Sequence, residues 1–367
     1  GTERRPNQQV IAQELDGLGA EFNAFTGHEY TGYYAKTAAP YLPRVIDLLS
    51  DIYTHSIFKE EDIAQEKGAI VGEINMYEDI PMRKVGDLFM KLVYGDQPAG
   101  WEIAGPKELV TSFTREDFSA YRKVHYVPSA TLVVVSGKFD PVKILAQIKK
   151  EFGGIAPAKK KGKVKVKEVQ TAPQVALEYK ESDQTHLIVG VRAFPLRHRL
   201  HYPLALLSGV LGVGMSSRLF QKVRTEMGLG YYVRSSHETF SDHGILSASA
   251  GVVNERAVEA VAAIVEQFKR LTTELVTDEE LLKAKDMFSG RLLLGLESSD
   301  EVGEFYGGQE IQHEPLETPE EVIKKIRAVT PKEIREAAKR VFQNDRLNLA
   351  LIGPWKDDAG FVKVLKF

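Results

Sequence analysis

The sequence predicts an α+β fold built from two homologous mixed α/β sandwich domains. Two internal matches and one break in composition carry that reading. Residues 114–137, TREDFSAYRKVHYVPSATLVVVSG, and 330–353, TPKEIREAAKRVFQNDRLNLALIG, follow one plan at an offset of 216. Each opens with a Thr cap and has an acidic residue three positions later, Asp117 or Glu333. An amphipathic helix follows, then a short turn and an apolar strand closed by Gly137 or Gly353. Earlier in each half, 41–77 and 255–294 read as helix–turn–helix. Val45, Ile46, Leu49, Ile52 and Tyr53 recur at helical spacing, and so do Val258, Val261, Ile264, Val265 and Phe268. Between the halves lies 157–171, PAKKKGKVKVKEVQT, with six lysines and no large aromatic. Unpaired lysines are costly to bury, so this stretch reads as a solvated linker or an exposed strand leading out of one. Domains are therefore expected at 1–156 and 172–367.

Strands are expected at Gly19–Ala24, Thr31–Lys36, Thr131–Val135, His186–Val191, Ile245–Ala250 and Leu347–Ile352. Interleaved with helices in this order, they predict helices on one face of each sheet. At 367 residues the chain is long enough for two cores. Its 48 Lys plus Arg against 51 Asp plus Glu give a net charge of −3. No whole-chain attraction to nucleic acid or to an anionic membrane follows from that balance. The lysine-rich stretch has no interleaved aromatics to stack on bases, which argues against RNA. No apolar run approaches the roughly 20 residues of a membrane span. Cysteine is absent, which removes disulfides, thiol nucleophiles and Cys-ligated metal sites. That absence suits a reducing interior without excluding export, so the compartment stays open.

Gly209, Gly212 and Gly214 in SGVLGVGMSSRLF resemble a phosphate-cradling loop. No Gly-Lys-Ser/Thr follows them, so nucleotide binding is not expected. Of nine histidines only His198 and His201 are close together, in RHRLHY, and they read as a solvated polar turn. The carboxylates of 59–79, KEEDIAQEKGAIVGEINMYED, offer more. Glu66 and Glu73 are seven apart, two helical turns, and so share one face beside the apolar stripe Ile63, Ile70, Val71 and Ile74. On spacing alone they are either surface residues or carboxylates aimed into a site.

Four segments decide more than spacing does. LGAEFNAFTGHEYTGYYAKT (18–37), QEKGAIVGEINMYEDIP (65–81), YGDQPAGWEIAGPKELV (94–110) and LFQKVRTEMGLGYYV (219–233) resemble the pitrilysin/insulinase family of zinc metallopeptidases, in family order. Within that family the likeness is to the two-domain type of mitochondrial processing peptidase and bacterial processing proteases. The family's signature is H-x-x-E-H, with two zinc-binding histidines and a glutamate that activates water. A glutamate on a later helix is the third protein ligand. The resemblance implies that Glu73 is that metal ligand and that Glu66 supports it without touching the metal. No H-x-x-E-H occurs in the 367 residues. Counted back from Glu73, the motif would fall just before Gly1, and the family commonly continues from it into a phrase like GTERRP. Two explanations stay open: the sequence begins just after its metal motif, or the protein lacks the motif.

By the same resemblance Arg224 and Tyr231, seven apart, hold the substrate carbonyl as it becomes an oxyanion. Asn23, Ala24, Phe25 and Thr26 form a sheet edge to which substrate adds as a strand. An offset of 218 puts Arg291 opposite Glu73, so the second half is not expected to bind metal. The implied activity is zinc-dependent endopeptidase cleavage of extended or unfolded peptides inside a chamber formed by two copies, or by a pair with a homologous subunit. The alternative is a non-catalytic family member acting as partner subunit, scaffold or peptide-binding clamp. Zinc is expected in a protein carrying the motif and weak or absent in this chain. The partners expected are a peptide and a second family subunit, with no nucleic acid and no membrane.

Overall fold

The computed structural model describes all 367 residues, and they are mixed helix and sheet as the sequence predicts. They form two compact units, 1–74 with 103–163 and 296–316, and 75–102 with 164–295 and 317–367. Compared with the expected halves, 75–102 is exchanged into the second unit and 296–316 into the first.

The first unit carries one antiparallel hairpin, β1 (Glu21–Thr26) and β2 (Thr31–Lys36), in the register Glu21↔Lys36 to Thr26↔Thr31. The helix Leu42–His55 buries Val45, Ile46 and Leu48. A second device pins the N-terminal segment to it. Arg5, 5% exposed, reaches Glu14 (2.7 Å), Asp47 (2.7 Å) and Asp51 (2.8 Å), and Thr2 Oγ1 donates to Asp51 at 2.7 Å. The Thr114–Asp117 capping box is present and starts the helix Arg115–His125.

The expected strand Thr131–Val135 does not form: 131–136 makes no ladder. Its counterpart in the second unit pairs on both edges, and no segment of the first unit takes either neighbouring place. What 131–136 packs on instead is the helix Ser299–Ile311. Gly303 and Gly307 lie so close that added Cβ atoms would meet Ser136 Cβ at 3.2 Å and Val134 Cγ2 at 3.0 Å. This packing places 296–316 in the first unit.

The second unit centres on a five-stranded sheet. β3 (Gln174–Tyr179), β4 (Gln184–Ala193), β5 (Gly230–Thr239), β6 (Gly244–Val253) and β7 (Leu347–Gly353) run in the order β3-β7-β4-β6-β5. Only β3–β7 is parallel. The helices His201–Gly212, Ala257–Thr273 and Pro331–Val341 cover one face through Leu204, Leu207, Val261, Ile264, Phe268, Ala337 and Val341. Contrary to the one-face expectation, the other face is covered too. The helix Pro81–Tyr94 sets Val85, Phe89, Val93 and Tyr94 against Ile245, Ala350 and Ile352. The contact is close: a Cβ on Gly190 of β4 would lie 2.6 Å from Phe89 Cζ. This helix therefore belongs with the sheet of the second unit. Residues 157–171 have neither helix nor strand.

His198 and His201 are packed rather than solvated. His198 stacks on Phe194 (4.0 Å) and its Nδ1 accepts from the Leu200 N–H at 3.1 Å. The His201 ring lies 5.5 Å from His237 of β5. Burial, with His201 as a lesser cause, holds His237 down at about 4. Because this lies below the ordinary value of 6.5, the unfolded chain takes up the proton first. Stability is therefore full above about pH 6.5 and falls as the pH drops towards 4. Urea titrations should show wild type losing about 2 kcal/mol more than His237→Phe between pH 7 and 4.5. Equal losses would contradict the buried neutral state.

Candidate active site

β1 presents all six residues to solvent and pairs along one edge only. Asn23 Oδ1 accepts the Ala24 N–H at 2.8 Å, so this side chain occupies a main-chain donor of the strand. Phe25 lies across its cross-strand partner Gly32: a Cβ there would sit 2.4 Å from the ring. The same ring meets Tyr30 edge-on at 5.7 Å. Thr26 closes the strand before a turn in which the Gly27 N–H donates to the Tyr30 carbonyl at 2.9 Å. An exposed strand edge of this kind can hydrogen-bond an extended chain through its backbone.

Glu66 and Glu73 project from the helix Glu60–Glu78, and both are exposed. Of the expected buried stripe only Ile74 is buried, while Ile63, Ile70 and Val71 are half-covered. Nowhere do three His, Cys, Asp or Glu side chains converge in a way that could hold a metal ion. Zinc sites need three or four such donors at about 2.0–2.3 Å, so the residues present do not fit zinc.

Arg224 and Tyr231 stand on irregular backbone. Arg224 is the fifth residue of a π-helical turn, Phe220–Glu226, and its guanidinium lies 4.9 Å from the Phe220 ring centre. Gly228 follows at φ +61°, the left-handed turn that ends the helix and leads to β5. On β5, Gly230 pairs with Val252 and Tyr232 with Gly251, so Tyr231 is the bulged residue between them. It is 62% exposed, and Arg224 is exposed as well. π-turns and bulges are both devices that re-aim a side chain at functional sites. Resemblance pairs these residues, and the sequence carries no sign of the two distortions. The nearest trace is the Gly-Leu-Gly at 228–230.

Residues 1–107 match the family pattern described as Insulinase (Peptidase family M16), and 112–288 match the Peptidase M16 inactive domain. The chain is 33% identical over 344 residues to the uncharacterized zinc protease YmxG of Bacillus subtilis, spanning 94% of this chain and 83% of that protein. The chain belongs to peptidase family M16. An uncharacterized zinc protease of Rickettsia felis is 33% identical over 368 residues, 98% of this chain and 86% of its own length. A protease from Helicobacter pylori has the same fold, with TM-score 0.90 at 20% identity over 96% of this chain and 86% of its own. The M16 inactive domain from Pseudomonas fluorescens follows at TM-score 0.86 and 18% identity, over 97% and 85%. The names of the Bacillus and Rickettsia relatives carry zinc, whereas the donors in these 367 residues do not make a zinc site.

Proposed function

We propose that this chain is the peptide-handling protomer of an M16 metallopeptidase. Asn23–Thr26 add an extended peptide as a strand, and Arg224 and Tyr231 grip a peptide carbonyl. The observation that carries the reading is the pair of backbone distortions that expose Arg224 and Tyr231. A guanidinium and a phenol are both donors, and their hydrogen bonds strengthen as negative charge grows on the carbonyl oxygen. Endopeptidase hydrolysis needs metal donors beyond the residues present, with Glu73 as the one ligand from this chain and Glu66 in support. Two copies, or this chain and a homologous subunit, pair so that Arg224 and Tyr231 of one serve the peptide held by the other. Gel filtration should then give twice 40.9 kDa, and a stable monomer would contradict the pairing.

Fluorescence anisotropy with a labelled unfolded peptide tests the grip. Arg224→Ala should weaken binding roughly tenfold or more, and Tyr231→Phe about threefold to tenfold. Unchanged affinity in both variants would contradict it. The match of 112–288 to the Peptidase M16 inactive domain supports a second reading, a non-catalytic clamp or partner subunit. The two separate on the residues encoded before Gly1. With H-x-x-E-H there, the longer polypeptide should bind one zinc and cleave a quenched peptide, and Glu73→Gln should lose both. Other residues at the histidine positions favour the clamp.

A further inference from the structure

The second unit holds a cavity of about 550 Å³, away from Arg224 and Tyr231, at the end of β4. Its lining includes two carboxylates, Glu168 and Asp242, and two guanidinium groups, Arg340 and Arg346. The carboxylates are already engaged. Asp242 Oδ1 is 2.7 Å from His243 Nδ1 and its Oδ2 accepts the Val166 N–H at 3.0 Å, while Glu168 faces Arg192 at 3.9 Å. Arg340 pairs with Glu336 at 2.9 Å, but half-buried Arg346 makes no ion pair. The formal charges of these four groups cancel, but Arg346 is the one whose donors make neither an ion pair nor a side-chain hydrogen bond, which leaves them open to an anion. His198 is also in the lining: burial first, then the Arg340 and Arg199 charges, lower its pKa against the opposing Glu336. With Nδ1 accepting from Leu200, its Nε2 carries the proton and is a donor. Beside it, the Phe194 and His198 rings stack face to face at 4.0 Å with 16° between planes.

We infer that this basin binds a small organic anion, a carboxylate or phosphate bearing a flat apolar group, with the oxyanion on Arg346 and Arg340 and the flat group beside Phe194 and His198. Arginine suits the task because its planar fork of donors matches both oxyanions. Sequence reasoning missed the site, since its residues come from 168, 194–198, 242 and 340–346 and no motif links them.

Calorimetric titration of the full chain with inorganic phosphate and with phenyl phosphate tests the inference. Both should bind saturably, phenyl phosphate several-fold more tightly. Arg346→Gln should weaken both roughly tenfold, with Arg346→Lys intermediate. Unchanged circular dichroism of these variants establishes that they fold, and should either fail, Arg340→Gln replaces it with the same expectation for both probes. No saturable binding of either probe, or equal binding by wild type and the folded arginine variant, would overturn the site. Equal affinity for the two probes would overturn the flat-group assignment.

Discussion

Arg5→Met should destabilise the first unit by about 3–5 kcal/mol in urea titrations at neutral pH. The substitution keeps the side chain's bulk and removes the charge that Glu14, Asp47 and Asp51 share. Arg5 and Asp51 are almost fully buried, so the stranded Asp51 carboxylate cannot recover its solvation, whereas Glu14 and Asp47 are partly exposed and Asp47 keeps Arg4. Arg5→Lys should also be costly, because one ammonium cannot reproduce a fork that serves three carboxylates. The pH dependence has a definite sign. The Arg5 hydrogen bond holds Glu14 below its ordinary range. Burial pushes Asp47 and Asp51 up, but hydrogen bonds from Arg5 with Arg4, and from Thr2 with Arg5, outweigh it and leave both lowered. Groups with lowered pKa stabilise the fold above their unfolded values of 3.8–4.5, and that contribution is lost as the pH falls through the folded values. The gap between wild type and Arg5→Met should therefore narrow from pH 6 to pH 3. A loss under 1 kcal/mol at neutral pH would show that the cluster is decorative.

Phe89→Ala should cost the second unit about 3–5 kcal/mol. Phe89 is 2% exposed, and its ring fills the space left by the missing side chain of Gly190. Removing the ring opens a cavity over the sheet centre that neighbouring strands cannot close. Gly190→Val should be comparably damaging from the opposite side, because backbone and ring leave no room for a branched side chain. Thermal unfolding of both variants checks this, and a shift of only a degree or two would mean that the helix Pro81–Tyr94 adds little to the sheet.

Local signals read well from the sequence, and non-local ones did not. Both Thr capping boxes, at 114 and 330, form, and β2 spans the expected Thr31–Lys36. β5 escaped notice because one of its two buried positions is Ser235, not an apolar residue. Ser235 Oγ donates to the Ser208 carbonyl at 2.6 Å, and Gly212 approaches the Ser235 backbone so closely that a Cβ would lie 2.4 Å from its nitrogen. Close helix–strand approach demanded small residues and erased the alternation. β3 is short, and its pairing partner β7 lies far along the chain. Thr131–Val135 shows the reverse error: a strand-like sequence makes no strand when nothing pairs with it. At the candidate site, resemblance selects Arg224 and Tyr231, and the structure places them on a π-helical turn and at a β-bulge that the sequence does not announce. Glu73 rests on resemblance alone: the helix Glu60–Glu78 exposes it, and no group of three metal donors forms around it.

Amide hydrogen exchange of the whole chain, with and without a saturating unfolded peptide, tests the peptide-handling account most directly. The account predicts slowed exchange across Glu21–Thr26, where a bound chain would cover the open edge of β1, and a second protected stretch spanning Arg224–Tyr231. Tight binding that leaves both stretches exchanging as fast as in the free protein would contradict it.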